Sequence, residues 1–233
     1  MININIFDII GPVMIGPSSS HTAGAVRIGN VAQRILGENV CKADIGFAGS
    51  FAQTYRGHGT DKAIVAGLLG MLPDDERIRD SFDIARDQGL EFNIKEIHIS
   101  RAHPNTARLY ISGKNGKECS VEGASVGGGN IQIYWVNGMR TEFTGHSDTL
   151  IIPHKDTPGV IAQVSSLMSQ YGINIGNFKL NRLHKGFQSV MTVEIDCLTD
   201  DSIIEKLRSL AHIENVVYLR AISPGGSCNE KKE

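Results

Sequence analysis

Cysteine is scarce in this chain, four in 233 residues, and Cys41, Cys119, Cys197 and Cys228 never stand as a C-x-x-C pair. That spacing argues against a local zinc site and a secreted disulfide framework. Isolated thiols are the simpler reading. A cluster ligated wholly by this chain is disfavoured on the same ground, because it would need several converging thiolates. Long apolar runs are missing too, with none near the ~20 residues a membrane helix requires. No five-residue basic run occurs, and 23 Lys+Arg stand against 25 Asp+Glu, so nothing recommends a nucleic acid as partner. The start, Met1-Ile2-Asn3-Ile4-Asn5-Ile6, lacks the positive and long apolar regions of a secretory signal. These absences predict a soluble, cytoplasmic protein that engages neither membrane nor nucleic acid. At 233 residues it is long enough for two modest domains, which commonly run about 100 to 150 residues each.

What is present in strength is the run Gly16-Pro17-Ser18-Ser19-Ser20-His21-Thr22-Ala23-Gly24. Apolar residues Ile28, Val31, Ala32, Ile35 and Leu36 follow at helical spacing and Gly37 supplies a stop, which predicts a helix over 22–36. The hydroxyls and the imidazole thus sit at a helix N-terminus. Unpaired backbone N–H groups and the positive end of the helix dipole there favour a carboxylate or phosphate. Ser and Thr hydroxyls add hydrogen bonds, and His moves protons near neutral pH. A single Ser20 or Thr22 would read as an ordinary N-cap. Three serines followed by His-Thr between Pro17 and Gly24 favour a binding turn.

Further along, a strand is expected around Ala43 to Phe47, then a turn at 57–61, with Thr60 capping the apolar run 63–69. A helix over 74–88 opens after Pro73 and ends at Gly89. From Phe92 the period becomes two, and Asn115-Gly116 and Asn137-Gly138 mark hairpins. Gly127-Gly128-Gly129 leads into a strand, not a helix, so a bulge or tight corner is expected there in place of a nucleotide cradle. The last third reads strand 150–153, a helix from 160 to Gly172, strands 173–180 and 188–195, helix 200–211 and strand 216–222. That order is βαββαβ, a ferredoxin-like unit.

Phe7-Asp8-Ile9-Ile10-Gly11-Pro12, the Ser-Ser-Ser-His-Thr run, Gly57-His58-Gly59-Thr60-Asp61-Lys62, His103-Pro104-Asn105-Thr106 and Gly127-Gly128-Gly129 occur here in one order. That order closely resembles the beta subunits of iron-sulfur-dependent L-serine dehydratases over almost the whole chain. The last third, with Asp156-Thr157-Pro158-Gly159 and Gly172-Ile173-Asn174, looks like an ACT domain. The first part is similar to the allosteric substrate-binding domains of some 3-phosphoglycerate dehydrogenases. The resemblance implies an α+β chain. An allosteric-substrate-binding-like α/β domain covers 1–147, a ferredoxin-like ACT domain 148–223 and a mobile tail 224–233.

The resemblance also implies a lyase subunit that deaminates L-serine to pyruvate and ammonia together with an alpha subunit, whose cysteines hold a [4Fe-4S] cluster. No metal ligand is expected in the present chain. On this reading Ser18, Ser19, Ser20 and Thr22 grip the substrate carboxylate, and His21 orients the substrate or shuttles a proton. His58 and Asp61 form a second wall of the site, or serve only as a loop residue and a helix-dipole partner. His103-Pro104-Asn105 is equally an ordinary turn. A small amino acid is expected at Gly159 and Asn174 of the ACT part, and its sheet edges favour a homodimer. The competing class is a non-catalytic amino-acid-binding regulatory protein. A serine hydrolase is disfavoured because no Gly-x-Ser-x-Gly elbow surrounds these serines.

Overall fold

The computed structural model describes residues 14–182, 186–198 and 200–221. The Phe7 to Pro12 element, Cys228 and the tail 224–233 lie outside the described residues. The chain separates into two compact units, Met1–Asn137 and Gly138–Glu233. Among the described residues no helix is long and apolar enough to cross a membrane.

In the first unit a π-helical turn, Ser19–Ala23, runs into helix α1, Gly24–Leu36. Ala25, Val26, Ile28, Val31, Ala32 and Leu36 are buried around most of the helix circumference, as expected of a core helix and not a surface one. Gly37 closes it in the left-handed conformation at φ 73°, its N–H on the Gln33 carbonyl. Strand β1, Val40–Gly49, then runs as an interior strand, next to the edge, in a sheet ordered β2-β1-β3-β4-β5. Its neighbour β2, Glu91–Glu96, is parallel, and β3, Asn105–Gly113, β4, Glu118–Gly127, and β5, Asn130–Val136, continue antiparallel.

A parallel neighbour needs a long crossover. Residues between β1 and β2 supply it as α2, Ser50–His58, α3, Thr60–Leu68, a 3-10 turn, Glu76–Asp80, and α4, Ser81–Asp87. Three expectations change here. Residues 50–58, given no helix by the pattern, form α2, because Phe51 and Ala52 are its only buried side chains and leave a weak period. Thr60 does not cap α3: Gly59, at φ 67°, holds that position, and the Thr60 hydroxyl is buried without a partner. The helix expected over 74–88 is broken. The Asp75 carboxylate caps the 3-10 turn by accepting the Arg77 N–H, and the Ser81 hydroxyl is drawn to the Lys62 carbonyl at 2.8 Å. Gly127, Gly128 and Gly129 all have positive φ and turn β4 into β5, the tight corner expected of them.

The second unit opens with β6, Met139–Phe143. It continues as β7, Asp148–Lys155, α5, Val160–Gln170, β8, Ile175–Arg182, β9, Gln188–Ile195, α6, Ser202–Ser209, and β10, Val217–Leu219. The last six elements keep the βαββαβ order in an antiparallel sheet, β10-β7-β9-β8. Leu150, Ile152, Met191 and Val193 of the sheet and Val160, Val164, Met168, Ile203 and Leu207 of the two helices form one buried cluster. This is the ferredoxin-like packing that the alternating sequence periods specify.

Candidate active site

The site grows from two turns that the first unit brings together. In the π-helical turn Ser18 stands as N-cap with extended backbone, φ −146° and ψ 121°, and its Oγ accepts the His21 backbone N–H at 3.3 Å. The Thr22 N–H donates to the Ser18 carbonyl at 2.8 Å, which tightens the turn. Gly16 makes this closure possible. It lies at φ 129°, and a Cβ there would stand 2.6 Å from Thr22 Cγ2 and Oγ1.

The second turn is the corner from β1 into α2. Gly49 occupies φ 59°, ψ −129°, and a Cβ on it would meet the Pro104 carbonyl oxygen at 2.5 Å. The same carbonyl accepts the Phe51 N–H at 3.3 Å. Only a residue without a side chain permits so close a crossing, so Ser50 is delivered at one defined place as the first residue of α2.

His21 joins the two turns. Its Nδ1 lies 3.3 Å from Ser18 Oγ and its Nε2 lies 3.3 Å from Ser50 Oγ. The His58 ring lies 4.8 Å from the His21 ring and the Phe51 ring 5.3 Å from it. The Thr22 hydroxyl donates to the His58 carbonyl at 3.4 Å, so the Gly57 to Asp61 segment is tied to the same turn. Burial, and secondarily the His58 ring, hold the His21 pKa below its ordinary value. A neutral imidazole able to accept a proton is the result.

Of the residues expected at the site, the structure thus brings Ser18, His21, Thr22 and His58 together, with Ser19 and Ser20 half-buried on the same turn. Asp61 follows in the first turn of α3, where its Oδ1 accepts the Lys62 N–H at 2.8 Å. Burial pushes its carboxyl above the usual value, opposed by that hydrogen bond and by the nearby Lys62 and Arg56 charges. No hydrogen bond joins Asp61 to His21. His103 shapes a turn instead: its Nδ1 accepts the Asn105 N–H at 3.2 Å and its carbonyl accepts the Thr106 hydroxyl at 2.7 Å. It is the neighbouring Pro104 carbonyl that reaches the site.

Two residues escaped the sequence reading. Ser50 is a lone serine in Ala48-Gly49-Ser50-Phe51, and the only signal was a glycine at the end of a strand. Arg27 sits one turn into α1, 7% exposed, with Nη1 donating to the Gly129 carbonyl at 2.8 Å and its Nε without a partner. Burial lowers its pKa, and a guanidinium stays charged nonetheless.

The Cys41 and Cys119 thiols are not placed as ligands of an iron-sulfur cluster. Burial pushes the Cys119 thiol up to about 12, which keeps it protonated, and Cys41 Sγ donates to the Ser112 carbonyl at 3.3 Å. Among the described residues no group of three or more His, Cys, Asp or Glu side chains is placed to hold a metal ion.

In the second unit Gly159, at φ 92°, precedes α5, and Gln163 N–H donates to its carbonyl. Asn174 donates its side-chain amide to Asp196 at 2.9 Å, while Asp156 accepts from Arg182 and from the Gly186 N–H.

The serine dehydratase beta chain family matches residues 5–88, and the ACT domain family matches residues 149–212. The chain is 42% identical over 215 residues to a probable L-serine dehydratase beta chain of Bacillus subtilis (strain 168), covering 92% of this chain and 97% of that one. It is 39% identical over 222 residues to the L-serine dehydratase beta chain of Peptoniphilus asaccharolyticus, covering 94% and 99%. A D-3-phosphoglycerate dehydrogenase of Methanocaldococcus jannaschii is 26% identical over 199 residues, covering 84% of this chain and 37% of that one.

Proposed function

The chain belongs to the L-serine dehydratase beta-chain family, and from that premise we propose that it is the beta subunit of a lyase converting L-serine to pyruvate and ammonia. It works in the cytoplasm with an alpha subunit that carries the [4Fe-4S] cluster, and it is active only in that assembly. Residues 1–147 supply this chain's share of the active site and residues 148–223 form a regulatory ACT domain.

The observation that supports this reading is the His21 ring held between two serine hydroxyls beside His58. Elimination from serine removes an α-hydrogen of very low acidity, so a positioned base is needed. His21, neutral through burial, takes that proton directly or through a bound hydroxyl. Ser19 and Ser20 hold the substrate carboxylate at the helix N-terminus, while Ser18 faces His21 Nδ1 and Thr22, its hydroxyl on the His58 carbonyl, ties the two turns together. His58 and Asp61 form the second wall. The aminoacrylate that leaves tautomerises and hydrolyses in water without further help from the protein.

The match over residues 149–212 supports a second site, for a small amino acid at the Gly159 and Asn174 turns. Among the described residues strand β8 stands at the edge of its sheet, which suits pairing with the same edge of a second copy.

Anaerobic pyruvate formation tests the reading, with this chain alone, the alpha chain alone and the two mixed. Turnover is expected only in the mixture. His21→Ala is expected to lower it by about 100-fold or more, the usual worth of a general acid or base. Turnover within about twofold of the parent enzyme would remove His21 from the chemistry.

A further inference from the structure

We propose that Ser50 is a positioning residue for His21, the third member of a Ser18–His21–Ser50 relay in which it fixes the ring as the Nε2–H tautomer. The proposal rests on the reading of His21 as the proton-moving group. It adds a residue and a direction of transfer to that reading.

A serine hydroxyl has one proton and two lone pairs. Ser18 Oγ already accepts the His21 backbone N–H, which leaves it one lone pair and its proton, and the proposal assigns the proton to Nδ1, 3.3 Å away. Nδ1 is then an acceptor, and a neutral imidazole carries its proton on Nε2. That nitrogen meets Ser50 Oγ at 3.3 Å, and Ser50 accepts. Ser50 has no comparable structural duty of its own, since it is its carbonyl, not its hydroxyl, that accepts the Thr54 hydroxyl at 2.7 Å.

Rigidity follows from what surrounds it. Gly49 and the Pro104 carbonyl fix the corner, and Phe51, the next residue, is fully buried with its ring beside His21. An orienting group behind an acid–base histidine is the general arrangement for such chemistry. A hydroxyl in that role orients the ring without the charge that would make it more basic, in keeping with the low His21 pKa. His58 is the titratable side chain packed on the ring.

A proton leaving the substrate goes to Ser18 Oγ as the Ser18 proton passes to Nδ1. The ring becomes an imidazolium that keeps its Nε2 proton on Ser50, and the reverse shift restores both groups.

Nitrogen-15 NMR of the full chain tests the tautomer without any turnover, His21 being assigned by the signals lost in His21→Gln. The parent protein is expected to show a protonated Nε2 and an unprotonated Nδ1. Ser50→Ala is expected to give a mixture of tautomers, and Ser50→Thr to restore one. In the assembled enzyme Ser50→Ala is expected to lower kcat roughly tenfold with KM little changed, the scale of a misoriented group. Ser50→Asp places a carboxylate on Nε2, raises the His21 pKa and moves the acidic limb of the rate profile to higher pH. An Nδ1–H ring in the parent protein, or a Ser50→Ala protein with unchanged ring signals and pH profile, overturns the proposal. Should Ser50→Ala not fold, the parent, Thr and Asp spectra still decide. Absence of serine turnover in the parent mixture would reject the lyase reading while leaving the tautomer result to judge Ser50 separately.

Discussion

Replacing Gly67 by alanine sets helix propensity against packing, and the structure says that packing wins. In an exposed helix interior the change would stabilise by up to about 1 kcal/mol. Gly67, however, lies where α3 crosses α1. A Cβ on it would stand 2.1 Å from the Val26 carbonyl oxygen, 2.9 Å from the Asn30 nitrogen and 3.0 Å from Gly29 Cα. All three are backbone atoms and no rotamer change relieves them. From the other side, a Cβ on Gly29 would stand 2.4 Å from the Ile64 carbonyl oxygen, so the two helices touch backbone to backbone. Restoring ordinary contact requires the helices to part by roughly 1 Å, a gap that forfeits a quarter to a half of the dispersion at each contact. Overpacking of this kind costs about 1–3 kcal/mol or somewhat more. With three backbone clashes the cost falls at the upper end, so a net loss of about 2 kcal/mol is expected after the propensity gain, lowering Tm by roughly 4–8 °C in a chain of this size. Gly57 is the control: it lies in α2 with nothing within 4 Å of its Cβ position, and Gly57→Ala is expected to stabilise slightly. Urea unfolding followed through Trp135, the one tryptophan of the chain, reads both variants. A Gly67→Ala protein as stable as the parent, or both variants shifting in the same direction, would refute the reasoning.

Two further outcomes follow from the sites. The His21 pKa is held below its ordinary value of 6.5 by burial and then by His58, so the folded protein binds fewer protons than the unfolded chain in the window from 6.5 downward. Stability from this group is complete above that window and lost as pH falls through the folded pKa, and NMR titration of His58→Gln should show the His21 midpoint move up. In the ACT part, calorimetry of the full chain with L-serine and related amino acids should give heat at millimolar ligand, abolished by Asn174→Ala. No heat in the parent protein removes the Gly159 and Asn174 site.

Legibility in the sequence divided along physical lines. The second unit was readable because its apolar residues keep clear periods: Val160, Val164 and Met168 recur at helical spacing, and Leu150 and Ile152, or Met191, Val193 and Ile195, alternate on a strand. In the first unit α1 was found because its apolar residues and Gly37 mark both its course and its end. Helix α2 was not found, since its exposed Gln53, Arg56 and Gly57 leave no stripe to detect, and its existence depends on a crossover that only the parallel β1–β2 pair makes necessary. The capping role expected of Thr60 failed because Gly59 takes the left-handed position and turns α2 directly into α3.

The same division explains the site. Ser18, His21 and Thr22 were visible because they lie within one turn, where local hydrogen bonds act between near neighbours in sequence. Ser50 was invisible because its partner is 29 residues away and its placement depends on a third segment, the Pro104 loop. What made it findable in the structure was a backbone feature, a glycine at φ 59° pressed against a carbonyl, and not any property of serine. Strained positions of this kind persist where the surroundings over-determine them. Here the surroundings are the end of an interior strand, a buried aromatic ring and the loop opposite, all converging on one hydroxyl. His21 therefore receives its local partner from a turn and its distant partner from the fold, and a proton relay needs both. A sequence can display the first; only the folded sheet and its crossover supply the second.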